Sequence, residues 1–307
     1  MELLDLRYFV SIAETGSFSK SALQNNIAQS ALSRRVRVLE AEMGVQLFYR
    51  NGRGVLLTEV GETFLARTRG ILAELESLRQ EMARAAGVLE GTVTLAVPPS
   101  VGLILLAPLL SQIRTDHPRI RMRVLEGFSG HVADWLANGK ADLAVLHNIR
   151  PSALLDSEHL LFEDMYLISS IALSRLAAGD SVALSELQGV ELALPGHPHG
   201  LRLLVDEACA RAHVALTVAM ELDTLPTICG LVASGTIRTI LPLTAVQSDL
   251  LAGRVMAQKI TDPVISRELI LAHAPHRAAA PATKAVVRLI RSHINRLVQS
   301  GLWVGRI

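Results

Sequence analysis

Apolar positions in the first 45 residues recur every three to four places. Leu6, Phe9, Val10 and Ala13 share one stripe, which predicts an amphipathic helix over 4–14, closed by Thr15-Gly16-Ser17. A short second helix is predicted over 19–25. Asn25-Asn26 then turns, because Asn tolerates left-handed backbone geometry. A third helix over 30–43 turns Leu32, Val36, Leu39 and Met43 inward, with Gly44 as its stop. Two apolar runs, 47–50 and 55–58, flank Asn51-Gly52 and read as a β-hairpin. Three helices and a hairpin make a winged helix-turn-helix over residues 1–58.

Residues 59–89 follow another rule. From Ile71 the apolar positions run Ile71, Leu75, Leu78, Met82, Ala85 and Leu89, in alternating steps of four and three. That heptad seam predicts a long linker helix paired with a second copy through Ile71, Leu75, Leu78 and Met82. A helix packed on its own chain is the plainer alternative. After the break at Gly87–Gly91, short β-branched runs alternate with helical patterns to the end of the chain. Strands are predicted at 93–97, 120–125, 142–146, 165–169, 191–194, 217–221, 237–240 and 268–272. Helices are predicted from 100 to 113 and at 130–138, 200–213, 224–234 and 281–299. Such alternation predicts parallel-type sheets under helical faces. Residues 90–307 suffice for two such lobes, the first about 90–162 with 267–307, the second about 163–266.

Composition narrows the function classes. Half of the residues are apolar but only 4% aromatic, so an aliphatic core is expected. The net charge is +1, and residues 1–58 hold seven Lys/Arg against five Asp/Glu, so bulk charge does not mark a nucleic-acid binder. Only residues 34–53 lean basic. Two cysteines, Cys209 and Cys229, give neither a disulfide framework nor a zinc motif and fit a reducing, cytoplasmic setting. No basic leader opens the chain, and no apolar run is long enough to span a membrane.

DNA-binding chemistry falls on the third helix. Ala22, Ile27, Leu32 and Val36 suit the inner face of a helix-turn-helix. This leaves Gln29, Ser30, Ser33, Arg34 and Arg37 outward, where Gln suits adenine, Arg suits guanine and Ser suits either or the backbone. Arg50 and Arg53 of the hairpin suit flanking phosphates or the minor groove. An ordinary helical pair with a solvated polar face would share this pattern.

The run Leu6-Arg7-Tyr8-Phe9, Gly16-Ser17-Phe18-Ser19, Ala28-Gln29-Ser30-Ala31-Leu32-Ser33-Arg34, Leu47-Phe48 and Leu57-Thr58-Glu59 closely resembles the N-terminal signature of LysR-type transcriptional regulators. Gly91-Thr92-Val93-Thr94-Leu95, Gly139-Lys140-Ala141-Asp142-Leu143-Ala144-Val145 and Leu241-Pro242 resemble the family's effector domain. Gly52–Val55, His147-Asn148 and Pro198–Arg202 are most similar to its nitrogen-assimilation-control branch. Ala28 stands where Ser often caps, Ser30 where Pro is frequent, and Arg238 where an uncharged residue is usual.

The resemblance implies a two-lobed α/β, periplasmic-binding-protein-like sensor behind an otherwise all-α winged helix-turn-helix and its linker helix. It implies a homotetramer, promoter DNA and RNA polymerase as partners, and a small, often acidic effector between the lobes. By position, Ser100, Val101, Ser129, His147, Pro195 and Thr224 would meet that effector. Ser100 and Ser129 would equally serve as helix caps, and His147 as a packed strand-end residue. His197 and His199 lack the carboxylate or cysteine neighbours of a metal site, and no metal or cofactor is expected. No nucleophile elbow, phosphate loop or dinucleotide fingerprint points to an enzyme. Two rivals are a solute-binding protein, which shares the lobed architecture, and a small-molecule enzyme with an accessory N-terminal domain.

Overall fold

A computed structural model describes residues 1–51, 54–85, 89–147, 156–173, 179–273 and 280–307. Helices α1 (Leu3–Thr15), α2 (Phe18–Gln24) and α3 (Gln29–Met43) open the chain within a residue of their predicted spans. Asn26 takes φ +53° in the α2–α3 turn. α3 begins at Ala28 with no side-chain cap and stops at Gly44, φ +69°. Strands β1 (Phe48–Asn51) and β2 (Gly54–Leu57) pair antiparallel as the wing, and α4 (Glu59–Ala85) leaves it.

This first core is not the aliphatic one that the composition suggested. The Phe9 ring lies 5.1 Å from Phe48, tilted, and 5.0 Å from Phe64, edge-on, and Phe18 lies 5.9 Å from Phe48. Four of the chain's six phenylalanines thus meet in its smallest unit. A small domain buries little surface, and each ring supplies more of it than an aliphatic side chain. Met43, expected inward, is exposed in the last turn of α3. Gly61 carries the close approach of α4 to the wing. A Cβ there would lie 2.1 Å from the Leu47 carbonyl oxygen.

The rest of the chain builds two sheets. β3 (Gly91–Val97), α5 (Pro99–Asp116), β4 (Ile120–Glu126), α6 (Ser129–Ala137), β5 (Leu143–His147) and β6 (Asp156–Asp164) lead into the second lobe. There follow β7 (Tyr166–Ser170), β8 (Ser181–Ala183), β9 (Glu191–Leu194), α7 (Gly200–Ala212), β10 (Thr217–Glu221), α8 (Leu225–Ala233), β11 (Arg238–Leu241), α9 (Gln247–Leu251) and β12 (Val255–Thr261). β13 (Ser266–His273) and α10 (Pro281–Gln299) return to the first lobe. Among the described residues the first sheet runs β4-β3-β5-β13-β6 and the second β10-β9-β11-β7-β12-β8. Both are mixed rather than parallel. β13 is antiparallel to β5 and β6, and β7 is antiparallel to β11 and β12. The cause is topological: each crossover between lobes delivers a strand running against those built by βα units.

The crossovers lie side by side. Met165 and Ile265 are buried, and the Met165 amide donates to the Ile265 carbonyl at 2.8 Å. The C-terminal tail straps this hinge: Phe162 and Arg306 exchange backbone hydrogen bonds of 2.7 and 2.8 Å. α4 also touches the first lobe. Arg69 donates to Glu14 of α1 at 3.0 Å and to the Asn138 carbonyl after α6 at 3.1 Å. Among the described residues no helix is long and apolar enough to cross a membrane.

Candidate functional site

Two regions gather functional side chains. The first is α3. Leu32 and Val36 bury its inner face, Ala22 packs inside α2, and Ile27 fills the turn half-buried. Ile27 is fixed by its amide donating to the Ala22 carbonyl at 3.1 Å. Ser17 caps α2 by accepting from the Lys20 amide, and Asn25 ties α2 to Ser11 of α1 at 2.8 Å. So held, α3 exposes Gln29, Ser30, Arg34 and Arg37, with Ser33 half-buried. Arg35, in the same basic run, turns the other way. It donates to Asp5 at 2.8 Å and Glu2 at 3.3 Å, and lies 6.0 Å from the Tyr8 ring centroid. Although burial works against it, the Arg35 bond and the Glu2 amide hold the Asp5 carboxyl below its ordinary range. Glu40 accepts from the Leu47 and Phe48 amides at 2.9 and 3.2 Å and fixes the wing against α3. Arg53 lies outside the described residues, as do the side chains of Arg50, Met82 and Ser129.

On α4 the heptad positions split from the intramolecular face. Ile71 and Leu78 expose about half their surfaces, 51% and 53%, and Leu75 is half-buried. Thr68, Phe64 and Leu65 face their own chain instead.

The second region is a cleft between the lobes of about 500 Å³, its mouth included. The first lobe contributes Pro98, Pro99, Ser100, Phe128, His147 and Arg267; the second contributes Pro195, His199, Leu201, Leu222, Asp223, Leu225, Ile228, Leu241 and Pro242. Of the expected effector residues, Ser100, His147 and Pro195 come together here. Val101 is fully buried in the first lobe's core, and Thr224 caps α8 by accepting from the Thr227 amide at 3.4 Å. The lobes meet where Phe128 packs edge-on against His199, centroids 4.5 Å apart. His199 caps α7, its Nδ1 accepting from the Leu201 amide at 3.0 Å. Burial, helped by nearby Arg267, lowers His199 to about 4 against an opposing pull from Asp223. Burial first, then Arg267 and His199, hold His147 well below its ordinary range. Both rings are therefore neutral near pH 7.

Arg267 on the cleft floor was missed from sequence. Its signal was present: in β13 it shares the strand phase of buried Leu269 and Leu271, a charge at an apolar position. Arg267 Nη2 donates to Ser100 Oγ at 2.9 Å and Nε to Glu163 Oε1 at 2.5 Å. Among the described residues no group of three or more His, Cys, Asp or Glu is placed to hold a metal.

Known proteins share this arrangement. Residues 3–62 match the family described as bacterial regulatory helix-turn-helix protein, lysR family, and residues 86–295 match the LysR substrate binding domain. The nitrogen assimilation regulatory protein nac of Klebsiella aerogenes is 31% identical over 297 residues, covering 96% of each chain. A full-length OxyR variant from Pseudomonas aeruginosa superposes with a TM-score of 0.77 at 28% identity, covering 96% of this chain and 95% of its own. Full-length CbnR complexed with its target DNA shares the fold, with a TM-score of 0.55 at 23% identity, covering 96% of this chain and 100% of CbnR.

Proposed function

The chain belongs to the LysR family of DNA-binding transcriptional regulators with an effector-binding domain, and on that premise we propose how its parts divide the work. It is a regulator, not an enzyme or a solute carrier. Residues 1–58 read promoter DNA, 59–89 pair two copies, and 90–307 sense an effector. Gln29, Ser30, Ser33, Arg34 and Arg37 meet base edges and nearby phosphates, while Arg50 and Arg53 of the wing meet the flanking backbone or minor groove. Two wings joined through Ile71, Leu75, Leu78 and Met82 dock in successive major grooves of a palindromic site. A homotetramer carries two such pairs.

The effector lies between the lobes against Ser100, His147 and Pro195, with Arg267 added to that set. Val101 acts from the first turn of α5, Thr224 through its cap of α8, and Ser129 by its place at the start of α6. Effector binding changes how the sensor lobes pack in the oligomer, and so the spacing or bending of DNA and the recruitment of RNA polymerase. A coupling of about 1–3 kcal/mol suffices for such control. The protein works in the cytoplasm, with the DNA it reads.

The observation that carries this reading is the sorting of one basic run. Arg34 and Arg37 are exposed on the outer face of α3, while Arg35 is spent on holding α3 to α1. The test is a mobility shift of the full chain on the DNA upstream of its own gene, with and without a protein-free metabolite extract. A complex whose mobility or affinity responds to the extract is expected. No complex even at low salt would remove the regulator reading.

A further inference from the structure

Helix α6 runs from the cleft between the lobes to the linker helix. Phe128 is its N-cap, lines the cleft and packs edge-on against His199 of the second lobe, centroids 4.5 Å apart. Asn138 is its C-cap, and the Asn138 carbonyl accepts from Arg69 Nη1 of α4 at 3.1 Å. Arg69 Nη2 donates in turn to Glu14 Oε1 of α1 at 3.0 Å. One guanidinium thus joins the far end of α6 to the first helix of the N-terminal domain. At about 1.5 Å per residue, α6 spans roughly 13 Å between these two ends.

The helix is built to move as one piece. Val132 and Leu136 are fully buried and seat it on the first sheet. A row of rings follows its length. Phe128 lies 6.3 Å from His131, His131 stacks 6.2 Å from Trp135, and Lys140 Nζ sits 5.2 Å from the Trp135 centroid. The Trp135 ring also covers Gly127, where a Cβ would lie 2.6 Å from it. The Trp135 carbonyl accepts from the Lys140 and Ala141 amides at 2.7 and 2.9 Å, so the turn after α6 follows the helix. Close-packed contacts of this kind pass a displacement on rather than absorb it. At the far end a cavity of about 940 Å³, its mouth included, lies between α1, α4 and the first lobe, and Glu14, Arg69 and Lys140 line it. Across that opening Arg69 ties α1 to the turn after α6. α4 also touches α10, but the inner face of α10 is locked in the first lobe's core and adds nothing to the cleft.

We propose that α6 relays the state of the cleft to the DNA-binding domain within one chain, with Arg69 as the positioning residue at its far end. The inference rests on reading the cleft as the effector site and α3 as the DNA reader. When the lobes open or close, His199 moves against Phe128, α6 shifts along the sheet, and the Asn138 carbonyl advances on Arg69 or withdraws from it. A hydrogen bond of this length is lost with about half an ångström of further separation. The tie therefore has two discrete states, as an element biased from two sites requires. With the bond made, Arg69 is held between the lobe and α1. With the bond broken, the lobe lets go of Arg69, and α1 loses that tie. α3 is bound to α1 through Arg35, Asp5 and Glu2, so the reader follows. This route runs inside each chain and acts beside the change in oligomer packing.

A double-mutant cycle on the full-length protein tests the relay, read as affinity for the DNA upstream of its own gene. Phe128→Ala removes the ring on which the second lobe bears, so the cleft end is perturbed without any added ligand. Alone, it should change the affinity by about fivefold or more. In an Arg69→Met background, which keeps the side-chain length but loses both bonds, the same change should stay within about twofold. Glu14→Ala, which cuts Arg69 from α1, should silence Phe128→Ala in the same way. A merely structural role for Arg69 would weaken binding on its own and leave the effect of Phe128→Ala at full size. Should Phe128→Ala fail to fold, Phe128→Leu, apolar but without the ring, enters the same cycle. Should Arg69→Met fail to fold, the cycle with the exposed Glu14 decides. Unchanged affinity in the folded Phe128 variant, or additive effects in either cycle, would overturn the proposal. If the cycles are additive while a protein-free metabolite extract still shifts the wild-type promoter complex, the relay falls and the regulator reading stands. If the wild type forms no complex even at low salt, both fall.

Discussion

Arg34 and Arg35 are neighbours in sequence, and the proposed function gives them opposite work, so changing each to alanine separates reading from folding. Arg34 is exposed on the outer face of α3. Its loss should leave the thermal midpoint in place. If it forks onto a guanine, affinity falls by about 1–3 kcal/mol, roughly 5- to 150-fold, with relaxed specificity at one base pair. If it meets a phosphate, the loss is uniform across sequences and the salt slope drops by about one. Arg35 pairs with Asp5, whose side chain is 12% exposed, and with Glu2, whose side chain is 72% exposed. The Glu2 pair is worth little in water, whereas the Asp5 pair is partly buried and braced by the Glu2 amide. Removing Arg35 should cost about 1 kcal/mol, or about 4–8 °C for a domain of this size, with little change in affinity below the melt. Fluorescence anisotropy on labelled upstream DNA, from about 50 to about 200 mM salt, measures binding. Circular dichroism melts measure stability. If Arg35→Ala loses DNA binding at full stability, or Arg34→Ala melts early, the rotation assigned to α3 is wrong.

Three further outcomes follow from the packing. Gly61→Ala drives a methyl group into the Leu47 carbonyl and should destabilise the N-terminal domain by about 1–3 kcal/mol in urea titrations; a neutral result would refute the close approach of α4 to the wing. Replacing Ile71 and Leu78 together by Glu should convert the protein to a smaller species in light scattering and weaken promoter binding by about tenfold or more; an unchanged mass would refute the α4 seam. The cleft histidines are depressed when folded, so the unfolded chain binds more protons between its ordinary histidine range near 6.5 and about 4. Stability should therefore fall on acidification through that window, and His199→Gln should flatten the fall in melts from about pH 7 downward; an identical slope in the variant would remove His199 as its source.

Hydrophobic spacing located most elements because it reports which face is buried. α10 and strands β9 and β10 match their predicted ends, and Ala22, Leu32, Val36 and Leu39 are buried as the spacing required, with Met43 the exception. What spacing missed has physical causes. β6 reads Asp-Ser-Glu-His before its apolar run, so its pairing with β13 is invisible locally. β12 hides a polar residue inside: Gln258 is 2% exposed and donates to the Gly179 carbonyl at 3.1 Å. Both strands lie beside a crossover, where order depends on the return path of the chain rather than on neighbouring residues. The mixed sheets follow from the same blindness.

The candidate sites divide along that line too. The outer face of α3 was legible because a helix-turn-helix sets core and outer positions within some twenty residues, so one short pattern specifies both. The cleft floor joins residues 104, 140 and 167 positions apart, and no local period links Ser100, Glu163, Arg267 and Trp303. One local trace did exist, the arginine at the buried phase of β13. A lone charge in such a place must find a partner or leave the core. The existence of a counter-charge could therefore have been inferred from β13 alone, while its identity as Glu163 required the fold. Position-by-position transfer by resemblance named Ser100 and not Arg267, although both line the cleft, and Glu163, which pairs with Arg267, does not line it.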